Sequence, residues 1–363
     1  MGSLARAAAH LVPGFAGRGF SRPVALFFHG VAETVNDPVT AENHHDAATF
    51  RAIAKSLKRN YDVRPLTDID AVLREPERHS RSVFLMSDDG YANTASVAAD
   101  ILSELSLPWT LFVSTHHIDT GEPNPIFLAR MFFAYAADGI HQLGPLGSVD
   151  LNARSRLAAC AWIAQLKALP FEQAQEAVEA MLKASFARDL EGIVAEHSAE
   201  SFLTWATLRA LRSSGVEIGA HAHAHWPMHA GQSPDHLRLQ ARHSRDRIEA
   251  EVGPCRFFAY PFGNIGDVSE GAWQAVRHAG YEYGFSTCSG SLDASANPFL
   301  MPRYGIGPRD THISGIVPIL RMANRRLVQW QHSLGGFTHS DPNLIHRVEP
   351  GLDHANPVNT QKA

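Results

Sequence analysis

The sequence has no uninterrupted apolar run of the roughly 18 residues that a membrane-spanning helix needs, although 45% of its 363 residues are hydrophobic. A chain of this length buries one large core with insertions, or two smaller cores. Excess charge of one sign is also lacking: 32 Lys and Arg stand against 37 Asp and Glu, a formal charge of -5. No basic stripe dominates, which argues against a nucleic-acid partner. Cysteine is scarce. Cys160, Cys255 and Cys288 are an odd number without metal-type spacing, so reduced core thiols are expected rather than disulfides or a cysteine-held zinc. In the N-terminal stretch MGSLARAAAHLVPGFAGRGF, His10, Pro13 and Gly14 interrupt any apolar segment. No signal peptide is expected there, and a cytoplasmic location is the corresponding expectation.

Histidine, by contrast, is plentiful: there are 21, several of them clustered. Short apolar runs at 24–28, 82–86, 110–113, 216–218, 257–260 and 283–285 read as buried strands. Helical patterns alternate with them. Phe50, Ile53, Ala54 and Leu57 recur at helical spacing, as do Val97, Ile101 and Leu105. A further helix carries Val268, Ala272, Trp273 and Val276 and closes at Gly280. Strand–helix repetition implies parallel strands with helices packed outside, as a barrel or an open sheet. The rhythm divides the chain into an N-terminal extension (1–22), an α/β domain (23–310), a C-terminal amphipathic helix (311–334) and a poorly ordered tail (335–363). An insertion at about 123–201 breaks the domain, with helical stretches around 151–169 and 171–190. The C-terminal helix carries Arg321, Arg325 and Arg326, which suits a solvated face, with membrane-surface docking the lesser alternative.

Three segments directly after strands carry chemistry, where α/β folds collect their active-site loops. The first, VFLMSDDGY, sets Asp88 beside Asp89, and Gly90 lets the chain turn so that both carboxylates face one cavity. A turn in which one of them caps the following helix is the plain alternative. The second, EIGAHAHAH, sets His221 four residues before His225, within reach of one ion on a helical turn or bent loop. Surface histidines are the alternative for that pair alone. One Asp with two His makes a metal site with open positions, and the other Asp is left to act as a base. The third, AYPFG, fixes a turn at Pro261 and Gly263 that can present the Phe262 N–H to an oxyanion. His29 ends the first strand and is a candidate general acid. Arg303 is a candidate to orient a carboxylate by a two-pronged contact.

Together these residues resemble the polysaccharide deacetylase (NodB-homology) family, carbohydrate esterase family four, in the subgroup that starts with a YHxV-like motif. Asp88-Asp89-Gly90 matches the family's DDG motif, and His221 and His225 match its HxxxH ligands. Tyr260-Pro261-Phe262-Gly263 is similar to its YPxG turn, Phe28-His29-Gly30-Val31 to its start, and LTWATLRALRSSGVEIGAH to its LTWDEL…SGHEIGSH stretch. The resemblance implies a deformed (β/α) barrel of fewer than eight strands, here with a helical insertion. It implies one divalent ion, most often zinc, held by Asp89, His221 and His225. It further implies Asp88 as base, His29 as acid, the Phe262 N–H as oxyanion donor, and Tyr260 and Pro261 against substrate. The implied activity is removal of an N-acetyl or similar acyl group from an amino sugar or glycan. Three positions depart from the pattern: Ala222 replaces a small hydroxyl residue, Ala259 replaces an Arg, and the late Leu344-Ile345-His346 lies in the polar tail. Three alternatives remain: an Fe(II) oxygenase, which normally uses an HxD spacing on an all-β fold; a hydrolase of small cyclic or formyl amides; and a catalytically silent glycan-binding module.

Overall fold

Side chains alternate along the first strand, β1 (Val24–Phe28): Val24, Leu26 and Phe28 pack on one face, Ala25 and Phe27 on the other. Burial of both faces is what a parallel strand covered by helices requires. The computed structural model describes residues 22–37, 41–186, 188–308 and 310. In chain order the further strands are β2 (Gly30–Ala32), β3 (His44–Asp46), β4 (Asp62–Arg64), β5 (Ser82–Ser87), β6 (Thr110–Val113) and β7 (Gly139–Gln142). After them come β8 (Ser148–Leu151), β9 (Glu217–Ala220), β10 (Phe257–Ala259), β11 (Tyr283–Phe285) and β12 (Tyr304–Gly305).

Seven strands follow one another as β11-β10-β9-β6-β5-β1-β12, with β4 beside β5, and the pairings are parallel. Met301, just ahead of β12, bridges to Phe285 on β11, which brings the two ends of the curled sheet together. The result is the deformed (β/α) barrel that the sequence led us to expect, except that β4 brings the sheet to eight strands where fewer were expected. Phe27, Phe84, Met86, Phe112, Phe257 and Phe285 fill its interior.

Helices cover the outside. Helix Ala47–Asn60 buries Phe50, Ile53, Ala54 and Leu57, the face read from the sequence. Asp46 caps it by accepting from the Thr49 N–H at 2.9 Å, a contact worth about 1 kcal/mol. Helix Glu270–His278 begins only after Val268, with Ser269 as its cap. The Val97 segment opens as a wide π turn, Thr94–Ala98, before the α-helix Ala99–Glu104.

The inserted segment holds helices Pro125–Tyr135, Ala159–Lys167, Phe171–Leu182 and Leu190–Glu196. It also holds an antiparallel hairpin, β7 with β8, that the sequence reading did not anticipate. Strands of four residues carry too few alternations to stand out, and Gly144 and Gly147 turn the chain between them with positive φ. Phe132, Leu143, Leu151, Leu166 and Met181 form an apolar cluster of the insertion that closes on Trp226, in the loop after β9. Its far end is tied back to the loop after β5, with Ala92 N–H donating to the Ser201 carbonyl (2.8 Å) and Leu203 N–H to the Gly90 carbonyl (3.0 Å).

The cysteines are all free, yet only Cys255 is a buried core thiol; Cys160 is exposed on helix Ala159–Lys167, which corrects the expectation for that residue. Apart from Arg22, the N-terminal extension lies outside the described residues, as do the helix expected at 311–334 and the tail at 335–363. Among the described residues no helix is long and apolar enough to cross a membrane.

Candidate functional site

The carboxyl ends of β1, β5, β9 and β10 converge on one cleft of about 450 Å³, lined by His29, Asp88, Asp89, His221, His225 and Phe262 among others. At the end of β5 the Asp88 N–H donates to the Phe28 carbonyl at 3.0 Å. Asp89 then takes φ 76° and Gly90 φ 85°. This reversal is what separates two adjacent carboxylates: Asp88 faces Arg303, while Asp89 faces the histidines.

The histidine segment is a bent loop rather than a helical turn, with Ala222 at φ 60° and His225 at φ 48°. Gln240 pins it by accepting from the N–H groups of His223 (3.0 Å) and Ala224 (2.8 Å). His223 itself turns away, its Nδ1 2.8 Å from the Thr115 hydroxyl. The His221 Nε2 and His225 Nε2 lie 3.3 Å and 2.9 Å from Asp89 Oδ1. His221 Nδ1–H donates to the Ala259 carbonyl at 2.8 Å, so in the neutral ring Nε2 carries a lone pair. A lone pair and a carboxylate oxygen that close repel unless a cation lies between them. His225 Nδ1 meets the Asn124 carboxamide at 2.6 Å.

The charge states suit a ligand set as well. Burial pushes the Asp89 carboxyl up, but the neighbouring imidazoles of His225, His29 and His221 outweigh it and hold it well below the usual range. Burial keeps His225 below its ordinary value despite Asp89. An ionised Asp89 and a neutral His225 are the forms in which these two groups bind a metal. One donor atom from each of the three residues lies within 4.8 Å of the others, and all three residues are buried. The residues present fit a divalent cation.

Asp88 is held differently. Arg303 grips it with a fork, Nη1 to Oδ1 at 2.7 Å and Nη2 to Oδ2 at 2.8 Å. The guanidinium is fully buried, sits 4.4 Å from the Phe27 ring centroid and donates from Nε to the Ser286 carbonyl at 3.1 Å. Burial raises the Asp88 pKa, Arg303 and His221 lower it by more, and the carboxyl ends below its ordinary value.

In the third segment Phe262 adopts φ 60° and Gly263 φ 63°, with the Gly263 N–H turned back to the Pro261 carbonyl at 2.7 Å. The Phe262 carbonyl accepts from the Thr287 hydroxyl at 2.6 Å. Its N–H has no protein acceptor among the described residues. The Phe262 ring packs edge-on against His225 at 5.1 Å, beneath the Lys167 ammonium of the insertion at 4.4 Å. Tyr260 and Pro261, expected against substrate, do not line the cleft. Tyr260 is fully buried and donates its hydroxyl to the Phe299 carbonyl at 2.9 Å, so it anchors the turn from behind. His29 does line the cleft, its ring edge-on to Phe27 at 5.6 Å.

The sequence reading missed Tyr91, Asn124, Arg130, Lys167 and Glu200, which also face this cleft. Asn124 had a signal, since it caps helix Pro125–Tyr135 ahead of a proline. The others are single polar residues in helical or turn contexts and had none.

Residues 164–284 match the polysaccharide deacetylase family, a span that contains both histidines and the Phe262 turn. Over this span the chain is similar to the polysaccharide deacetylases. Its fold resembles that of the Streptococcus pyogenes deacetylase PplD, solved with acetate, at 14% identity and TM-score 0.54; the alignment covers 82% of this chain and 96% of that one. It also resembles the Bacillus anthracis protein BA0330, which carries the same family name, at 13% identity and TM-score 0.51, covering 82% and 69%. No curated protein matches this chain in sequence. At such identities the solved structures speak for the fold, and the chemistry rests on the residues themselves.

Proposed function

We propose that the protein is a metal-dependent hydrolase that removes an N-acetyl or similar N-acyl group from an amino sugar or glycan. The observation that carries this is the division of labour between neighbours: Asp89 turned into two imidazoles, Asp88 turned into a buried guanidinium. A divalent cation held by Asp89, His221 and His225, zinc by the preference of such donors, supplies Lewis-acid polarisation of the amide carbonyl and of the attacking water.

The protein's own groups do the rest. Asp88, ionised and fixed by Arg303, accepts a proton from the water as it attacks. The Phe262 N–H donates to the oxygen that gains negative charge. His29 delivers a proton to the departing amine nitrogen. Arg130 and Lys167 bring the insertion to the rim of the same cleft, which favours a role for that segment in choosing the substrate.

Amine release from acetylated and formylated amino sugars, with zinc and after chelation, tests the activity and separates sugar from small-amide substrates. Asp88→Asn should lower turnover by about 10²–10⁴-fold while leaving zinc stoichiometry unchanged. Wild-type turnover in that variant would remove Asp88 from the role of base.

A further inference from the structure

Glu200 is a buried carboxyl in the candidate cleft that the chemistry above does not use. It stands at the end of the short 3₁₀ turn Ser198–Glu200, where the insertion rejoins the barrel. Only 5% of it is exposed, yet it lines the cleft together with His29, Asp88 and Asp89. Its Oε1 receives no hydrogen bond, and the nearest imidazole nitrogen, His44 Nδ1, is 3.9 Å away, too far to make one. A buried acceptor left unpaired costs about 1–3 kcal/mol, which a chain retains for a reason.

The carboxyl does not sit on a loose arm. The carbonyl of the preceding residue, Ala199, accepts from His44 Nε2 at 2.9 Å and from Asn93 Nδ2 at 3.2 Å. Next to it, Phe202 stacks on the Tyr91 ring at 5.6 Å. Tyr91 lines the same cleft as Glu200 and Asp89. Glu200 therefore shares one cleft with the candidate metal set Asp89, His221 and His225.

We propose that Glu200 determines substrate specificity, its Oε1 accepting a hydrogen bond from a free hydroxyl of the sugar ring that bears the N-acyl group. This deepens the hydrolase assignment and rests on it. The partner is a donor, because a carboxyl oxygen repels an anion. It is neutral rather than an ammonium, because the Arg130 charge acts on Glu200 and the same guanidinium lines the cleft. Burial pushes the Glu200 carboxyl up to about 7, so near neutrality it is substantially uncharged, which again favours a hydroxyl.

Binding can be read without turnover in the zinc-loaded Asp88→Asn protein, by calorimetry. The probes are an N-acetylglucosamine oligosaccharide and its analogue with hydrogen in place of the ring hydroxyl adjacent to the N-acetyl-bearing carbon. The hydroxylated sugar should bind about tenfold or more tightly. Adding Glu200→Ala should bring that ratio close to one, and Glu200→Gln, which keeps an acceptor and the shape, should preserve part of it. A ratio untouched by Glu200→Ala, no preference at the outset, or no binding of either sugar overturns the assignment. Amine release from the same oligosaccharide by the protein with Asp88 intact reports separately on the hydrolase. Turnover with an unchanged binding ratio sinks the role of Glu200 alone; a shifted ratio without amine release sinks the hydrolase alone.

Discussion

Asp89, Ala222, His225 and Phe262 are four of the five described residues other than glycine that hold positive φ, Ser106 being the other. Each such conformation costs on the order of 1–3 kcal/mol, and its concentration at one cleft is a mark of function independent of residue type. Arg303 is where stability and chemistry meet. Arg303→Ala leaves the Asp88 carboxylate buried without its partner, and urea denaturation should show a loss of about 3–5 kcal/mol. Arg303→Lys keeps the charge but not the fork; it should recover much of that stability while turnover stays depressed. Glu200 adds a pH signature. Its folded pKa, about 7, lies above the unfolded value of about 4.3, so the folded state holds the extra proton between these limits and stability falls as pH rises through them. Glu200→Gln should therefore match wild type near pH 4 and exceed it above pH 7, by up to about 3 kcal/mol. A difference that stays flat with pH would contradict this. The candidate ligands and base were legible in the sequence because charged residues directly after buried strands have few structural uses. Glu200 was not, because nothing local distinguishes it from a surface acid in the turn Ser198–Glu200.

The Phe262 turn shows how an element can be right in outline and wrong in detail. Its residues announced a fixed turn, but the side-chain directions depend on β11 and on the 3₁₀ turn Pro298–Leu300, which supplies the Phe299 carbonyl that Tyr260 reaches. Gly263 is the hinge of this element: a Cβ there would come within 2.9 Å of the Thr287 nitrogen and 3.0 Å of the Tyr260 carbonyl, at φ 63°. Gly263→Ala should displace the Phe262 N–H and lower kcat by about 10²-fold, the effect of losing one oxyanion donor, with zinc content unaltered. An unchanged kcat would show that this N–H is not used. The strands of the barrel were visible as apolar runs, whereas β7 and β8 were not, since a four-residue strand with alternating half-exposed and exposed positions resembles any polar loop.

Across the whole molecule the candidate cation joins the loop after β5 to the loop after β9, far apart in sequence. Ligands that bind only the folded state stabilise it by mass action. Chelation should lower the melting temperature by about 5 °C or more, and His221→Ala should abolish the difference between treated and untreated protein. Equal melting curves for wild type would show that no such ion contributes. The hydrogen bonds that join Ser201 to Ala92 and Gly90 to Leu203 have an evolutionary corollary. Because the departing strand of the insertion is fastened to the turn that aims Asp89, exchanging that segment for a relative's would disturb cation affinity along with sugar preference.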